Sequence, residues 1–180
     1  MTLTMLIRYV IPEDWEEICQ IEAGNFSAQE AATPADLRNR IEHLSDTFLV
    51  AEIAGQVAGY VVGPAVSQRY LSDDLFHRVV ANSEQGGFIA VTSLSVSKKF
   101  QGQGVGTALL AALKDLAVAQ KRAGITLTCH DYLIAYYEAN GFSDEGESES
   151  THGGASWYNL VWENPSIDKK RENVQKISWK

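Results

Sequence analysis

The segment KKFQGQGVGTALL, residues 98 to 110, sets three glycines within five residues directly before an apolar, helix-like run. Glycine against a helix start costs stability, so the bare backbone needs a reason. A helix N-terminus offers unpaired N–H groups and the positive end of a dipole, and glycines remove the Cβ atoms that would hold an anion away. The chemistry this implies is phosphate binding. Two phosphate loops do not fit. GxxxxGK[ST] needs a lysine after the glycines, and none follows. GxGxxG needs a third glycine where Thr107 stands, and Lys121 and Arg122 occupy the place, about 20 residues on, of an acidic ribose ligand. The pattern [Q/R]-x-x-G-x-[G/A] does fit, through Gln101, Gly104 and Gly106, after the strand-like run Ile89 to Val96. A purely structural glycine turn fits as well, and both readings stand at this point.

Two further places carry reactive side chains. LTCHDYLIAYYEANGF holds Tyr136 and Tyr137 on a short helical stretch before Gly141, and a buried aromatic is the plain reading of either. In ITLTCHD, strand alternation sets Thr126, Thr128 and His130 on one face. His130 can accept a proton near neutral pH, or it is a histidine satisfied by hydrogen bonds. Glu84, Asp131 and Glu138 are weaker acid/base candidates. Cys19 and Cys129 lie far apart without ligand spacing, so they read as reduced core fillers in a cytoplasmic protein, with no metal site.

The elements that must position these residues follow from periodicity. Met5 to Val10 reads as a strand, and Pro12 opens a helix with Trp15, Ile18 and Ile21 inward. Thr33, Pro34 and Asp36 form a capping box for a helix striped by Leu37, Ile41 and Leu44. Thr47 to Ile53 and Gln56 to Val62 make a hairpin about Ala54-Gly55. Ser72 is expected to cap a short helix, SDDLFHRVV, and Gln85-Gly86-Gly87 to break it. GFIAVTSLSV reads as one strand, and the glycine segment starts a helix running to about Arg122. ITLTC is a strand, Leu133 to Asn140 a helix stopped by Gly141, Asp144 to Thr151 an acidic loop, and SWYNLVWE the last strand. The order β-α-α-β-β-β-α-β-α-β mixes hairpins with crossovers. It predicts an α/β (mixed α+β) class with a mixed, largely antiparallel, twisted sheet of six to seven strands flanked by four helices.

The 180 residues suit one domain over 1–165 with a basic tail over 166–180. The formal charge of −8 disfavours nucleic acid. No apolar run reaches a membrane span, and the first residues do not read as a signal peptide. The stretch SIDKKRENVQKISWK carries five Lys/Arg against two Asp/Glu, a solvated end or a docking element.

Along residues 5 to 162 the order of elements and the glycine loop resemble the GNAT superfamily of N-acetyltransferases. LTCHDYLIAYYEANGF, VAGYVVG followed by YLSDDLF, and IRYVIPEDW are similar to segments of its arylalkylamine (serotonin-type) members. The resemblance implies acetyl-CoA as co-substrate and a primary amine of a small molecule as acceptor, attacked directly in a ternary complex without metal. Leu94, Ser95 and Val96 would then offer backbone groups to the pantetheine arm. Gln101, Gly102, Gln103, Gly104, Val105, Gly106 and Thr107 would hold the pyrophosphate, with Lys98 and Lys99 either near a phosphate or simply solvated. Tyr137 matches the tyrosine that protonates the departing thiolate, and Thr92 and Thr128 match positions at the amine site. The His-x-His pair of the arylalkylamine enzymes is absent, with Ala90 and Thr92 in its place, so His130 becomes the substitute base. Trp15, Phe26, Tyr70, Phe76 and Trp157 offer aromatic material for an acceptor pocket or for the core. A protein or peptide acceptor, and a non-catalytic acyl-CoA sensor, are the alternatives; a monomer or homodimer fits either.

Overall fold

The structure, a computed structural model, describes residues 4–77 and 79–167; the basic tail from 168 onward lies outside the described residues. In chain order the elements are β1 (Met5–Tyr9), α1 (Trp15–Asn25), α2 (Pro34–His43), β2 (Phe48–Ile53), β3 (Gln56–Val62), β4 (Ala65–Val66), β5 (Phe88–Ala90) and β6 (Ser93–Val96). After them come α3 (Val105–Ala119), β7 (Gly124–Cys129), α4 (Ile134–Ala139), β8 (Ser143–Glu147) and β9 (Tyr158–Glu163). Local chemistry explains most boundaries. The Thr33 hydroxyl accepts the Asp36 N–H at 3.1 Å and the Asp36 carboxylate accepts the Thr33 N–H at 3.4 Å, which starts α2. Such a cap is worth about 1 kcal/mol. Ala54 and Gly55 take φ of 51° and 74°, the left-handed pair that a two-residue hairpin turn requires.

The class is mixed α/β, as expected, but the strands form two sheets. β1-β2-β3-β6 is wholly antiparallel; β4-β5-β7-β9-β8 has one parallel pair, β5 with β7. The run expected as one strand from Ile89 to Val96 changes sheets at its middle. Val91 N–H donates to Thr126 O in one sheet and Thr92 N–H to Val62 O in the other, each at 2.9 Å. β3 leaves that crossing at Gly63, where a Cβ would sit 1.9 Å from the Ala90 carbonyl oxygen. Beyond this point β6 and the end of β7 diverge, and a wedge opens between the sheets.

One core cluster packs α3 (Leu109, Leu110, Leu113) between the sheets with Ile89, Ile125 and Leu160; another packs α1 and α2 on the first sheet through Ile18, Leu37, Phe48 and Tyr60. Three expectations are corrected. Residues 143–147 of the acidic segment are a strand, because β9 offers them an open edge. α3 ends at Ala119, where Lys121 turns back with φ of 54°. Ser72 stands at the N-cap, but its side chain makes no capping bond: its hydroxyl donates to Asp74 Oδ1 at 2.5 Å, and only a single 3-10 turn, Asp73–Phe76, follows.

Candidate active site

The wedge is a cleft of about 520 Å³, bounded by β6, the end of β7, α1 and α4. Its first wall is backbone. Ser97 N–H donates to Ala58 O at 2.8 Å, and the register pairs Ser95 with Tyr60 and Ser93 with Val62. Antiparallel bonding alternates, so Ser93 and Ser95 spend their backbone groups on β3 while Leu94 and Val96 aim theirs into the wedge. Thr92 also donates to Val62 O, so two residues face one, as in a β-bulge. Ser95 also lines the cleft, but the register turns its backbone toward β3, and its hydroxyl accepts from Asn25 Nδ2 at 2.7 Å. Asn25 also donates to Val96 O at 2.7 Å, so of the outward groups Leu94 N–H and C=O and Val96 N–H remain.

At one end of this wall the glycine loop meets α3. Gly102 and Gly104 hold φ of 77° and 78°, and a Cβ on either would meet nothing within 4 Å. Gly104 is the N-cap of α3 and no side chain caps the helix, so the N–H groups of its first turn are open to an anion. Those glycines answer to backbone conformation and an outside face, not to crowding from within. Gly106 differs: a Cβ there would lie 2.5 Å from the Tyr136 hydroxyl. Gln101 lines the cleft, whereas Gly102 to Thr107 lie beyond its rim. The Val105 side chain, 2% exposed, belongs to the core, so only its amide faces an anion.

The two tyrosines of α4 divide their tasks. Tyr136 lies over the first turn of α3, edge-on to Tyr137 with centroids 5.2 Å apart. Tyr137 is buried and also edge-on to Phe142, yet it lines the cleft, and its hydroxyl has no hydrogen-bond partner among the described residues. Burial raises the Tyr137 phenol above its ordinary pKa, with Cys129 and Tyr136 adding to the effect. The phenol therefore stays protonated well past neutral pH. Burial likewise pushes the neighbouring Cys129 thiol up to about 12.

The opposite end is built from side chains. His130 Nε2 lies 3.3 Å from Glu30 Oε1, and its ring stacks on Trp157 at 4.3 Å. His152 stacks on Phe76 at 4.2 Å, and its Nε2 pairs with Glu30 O at 3.2 Å. Phe26 adds to this aromatic wall. Thr128 lines it too, as does Thr92, whose hydroxyl donates to Val62 O at 3.3 Å. On the α1 side Glu22 is 2% exposed and accepts the Ser93 hydroxyl at 2.7 Å and the Tyr60 hydroxyl at 3.1 Å. Arg40 donates to the same Ser93 oxygen at 3.3 Å and to Phe76 O at 2.9 Å. Burial raises the Glu22 carboxyl and lowers the Arg40 guanidinium, the two facing each other across Ser93.

Thr92, Leu94, Val96, Gln101, Thr128, His130 and Tyr137 thus share one cleft. Glu84, Asp131, Glu138 and Tyr70 are exposed and outside its lining; Trp15, half-buried against the α1/α2 core and carrying the Arg38 guanidinium at 4.1 Å, lies outside it too. Lys98 lines the cleft, while Lys99 donates to Gln56 Oε1 at 2.9 Å. Glu22, Asn25, Glu30 and His152 were not anticipated. Glu22 alone left a sequence signal, a carboxylate four residues after Ile18 on the inward stripe of α1. Among the described residues no group of three or more His, Cys, Asp or Glu could hold a metal, and no helix is long and apolar enough to cross a membrane.

Comparisons with known proteins bear on the family and the fold. A profile described as the Acetyltransferase (GNAT) family matches residues 15–142. No curated protein matches the chain. Among solved structures, Ard1 from Thermoplasma volcanium is 24% identical with a TM-score of 0.65, over 88% of this chain and 97% of that one. Ribosomal-protein-alanine N-acetyltransferase from Brucella melitensis is 23% identical with a TM-score of 0.64, over 88% and 99%. The GNAT-like decarboxylase GphF, in complex with isobutyryl-CoA, is 15% identical with a TM-score of 0.74, over 88% and 99%. These likenesses reach the fold and do not extend to the arylalkylamine subgroup.

Proposed function

Because the chain belongs to the Acetyltransferase (GNAT) family, we propose that it moves the acetyl group of acetyl-CoA to a primary amine of a small molecule by direct attack in a ternary complex. The observation that carries this is the Tyr137 hydroxyl, without a hydrogen-bond partner among the described residues, on a cleft between the outward edge of β6 and a helix start without a side-chain cap. The donor fits that wall. Its diphosphate takes the amides from Gly102 to Thr107, and its pantetheine amides take Leu94 and Val96 as a short added strand. The thioester then comes to rest between the bulge at Thr92-Ser93 and Tyr137.

The acceptor enters from the Glu30 end. An ammonium must lose a proton before it can attack, and the His130–Glu30 pair takes that proton, Glu30 orienting the ring. The free amine attacks the thioester carbonyl, the C–N bond forms, and the C–S bond breaks to release CoA thiolate. A free phenol has a pKa of about 10 and a thiol about 8.5, so full transfer to the thiolate is uphill by ~2 kcal/mol before burial adds to it. Tyr137 therefore acts by a hydrogen bond to sulfur as the charge develops, and the amine's own proton ends in solvent. Phe26, Phe76 and Trp157 support an acceptor with an aromatic or apolar body, as in the arylalkylamine enzymes. The free thiols of Cys19 and Cys129 suit a reducing cytoplasm.

Thiol release from acetyl-CoA over a panel of arylalkylamines, aliphatic amines and peptide N-termini tests the reading. Turnover with a small amine is expected. Turnover confined to peptides moves the acceptor to a protein N-terminus, and CoA binding without turnover on any acceptor makes the chain an acyl-CoA sensor.

A further inference from the structure

The transfer chemistry uses Tyr137 and leaves its neighbour on α4, Tyr136, without a task, yet the Tyr136 hydroxyl holds a particular place. It stands in front of the first turn of α3. A Cβ at Gly106 would meet that hydroxyl at 2.5 Å, the ring carbon bearing it at 3.6 Å and Val96 Cγ2 at 3.7 Å. The hydroxyl therefore sits at the corner where the β6 wall ends and the glycine loop begins. Gly106 lacks the left-handed φ of Gly102 and Gly104, so the phenol, not the backbone, requires a glycine there. The ring is held edge-on to Tyr137 and stays 36% exposed. Its hydroxyl has no hydrogen-bond partner among the described residues, whereas the Tyr136 carbonyl accepts from Asn140 Nδ2 at 2.8 Å.

The loop beside it offers a diphosphate no cation of its own: residues 101–107, QGQGVGT, include no Lys or Arg. Gln101 spends its amide on Val96 O at 3.4 Å, and Lys99 donates to Gln56 Oε1 at 2.9 Å. We propose that the Tyr136 hydroxyl binds the coenzyme, donating a hydrogen bond to the diphosphate where that group joins the pantetheine arm. The proposal rests on the acetyl-CoA reading of the cleft and adds a side chain to a wall otherwise made of main chain. A phenol O–H on a phosphate oxygen is charge-assisted, and such bonds are about twice as strong as neutral ones.

Tyr136 and Tyr137 are adjacent on one short helix, the first over the start of α3 and the second on the cleft. A coenzyme seated against Tyr136 therefore also steadies the helix that carries Tyr137.

Isothermal titration of CoA into the full chain and three variants is the test, with the Tm of each ligand-free protein measured alongside. Tyr136→Phe removes a hydroxyl that has no partner among the described residues, so Tm should hold while CoA affinity falls about tenfold. Gly106→Ala should weaken CoA at least as much, because its methyl displaces the phenol. In the Tyr136→Phe background the same alanine meets its nearest atom at 3.6 Å, an ordinary contact, so it should add little further loss. Non-additive losses of this kind, at unchanged Tm, support the proposal. Equal CoA affinity in the wild type and Tyr136→Phe, losses that simply add in the double variant, or a Tm drop in Tyr136→Phe that accounts for its weaker binding overturns it. Each of those results leaves the acetyl-transfer reading standing, whereas a wild-type chain that binds no CoA overturns both.

Discussion

The two ends of the transfer cleft are made of different material. At the end proposed for the coenzyme the groups on offer are main-chain: Leu94 and Val96 at a strand edge, and amides behind Gly102 and Gly104. At the acceptor end they are side chains from five separate stretches, with Glu22, Glu30, Phe76, His130 and His152 meeting only in the folded molecule. A backbone site fits a donor whose diphosphate and amides do not vary. A side-chain site can be altered residue by residue without disturbing the frame. Substitutions at the two ends should therefore fail in different ways.

The largest effect is expected at the backbone end. Gly102→Val with Gly104→Val forces β-branched residues into left-handed φ and reorients the amides. Affinity for CoA, read by calorimetry, should fall about a hundredfold or more. The fold should survive, because neither new Cβ meets an atom within 4 Å. Retained CoA affinity in the folded variant would mean that the diphosphate lies elsewhere.

Tyr137→Phe sits between the ends and should lower kcat about 10²-fold while the KM for acetyl-CoA changes little. Its pH–rate profile sharpens the assignment. Burial raises the phenol pKa, so the neutral form persists to higher pH, and no basic limb near neutrality belongs to this group. The variant's profile should keep the wild-type shape at reduced height; loss of a limb would show that Tyr137 titrates in the reaction.

Glu30→Gln should lower kcat/KM for the amine about tenfold and leave CoA affinity alone. The Glu30 carboxylate touches only the acceptor end, through His130. A matching loss of CoA affinity would dissolve the distinction between the ends. The smallest effect concerns Cys129. With its thiol pushed up to about 12 by burial, it is protonated at pH 8 and should react with a thiol reagent only on unfolding.

The same contrast governs what the sequence disclosed. Gln101, Gly104 and Gly106 form a local pattern, and the capping box at Thr33 and the Ala54-Gly55 turn depend on neighbours within a few residues. Those were legible. The split of Ile89 to Val96 was not, because strand periodicity is the same whichever sheet pairs it, and the crossing depends on Gly63, some 30 residues earlier. Nor was the Glu30–His130 pair, whose members are 100 positions apart. His130 stood out by chemical type alone, and its partner required the fold.

A crystal structure of the chain with CoA measures the central claim most directly. The account places the diphosphate on the amides from Gly102 to Thr107, the pantetheine against Leu94 and Val96, and the sulfur within hydrogen-bonding distance of the Tyr137 hydroxyl. A coenzyme bound with that loop bare, or with its sulfur out of reach of Tyr137, would contradict it.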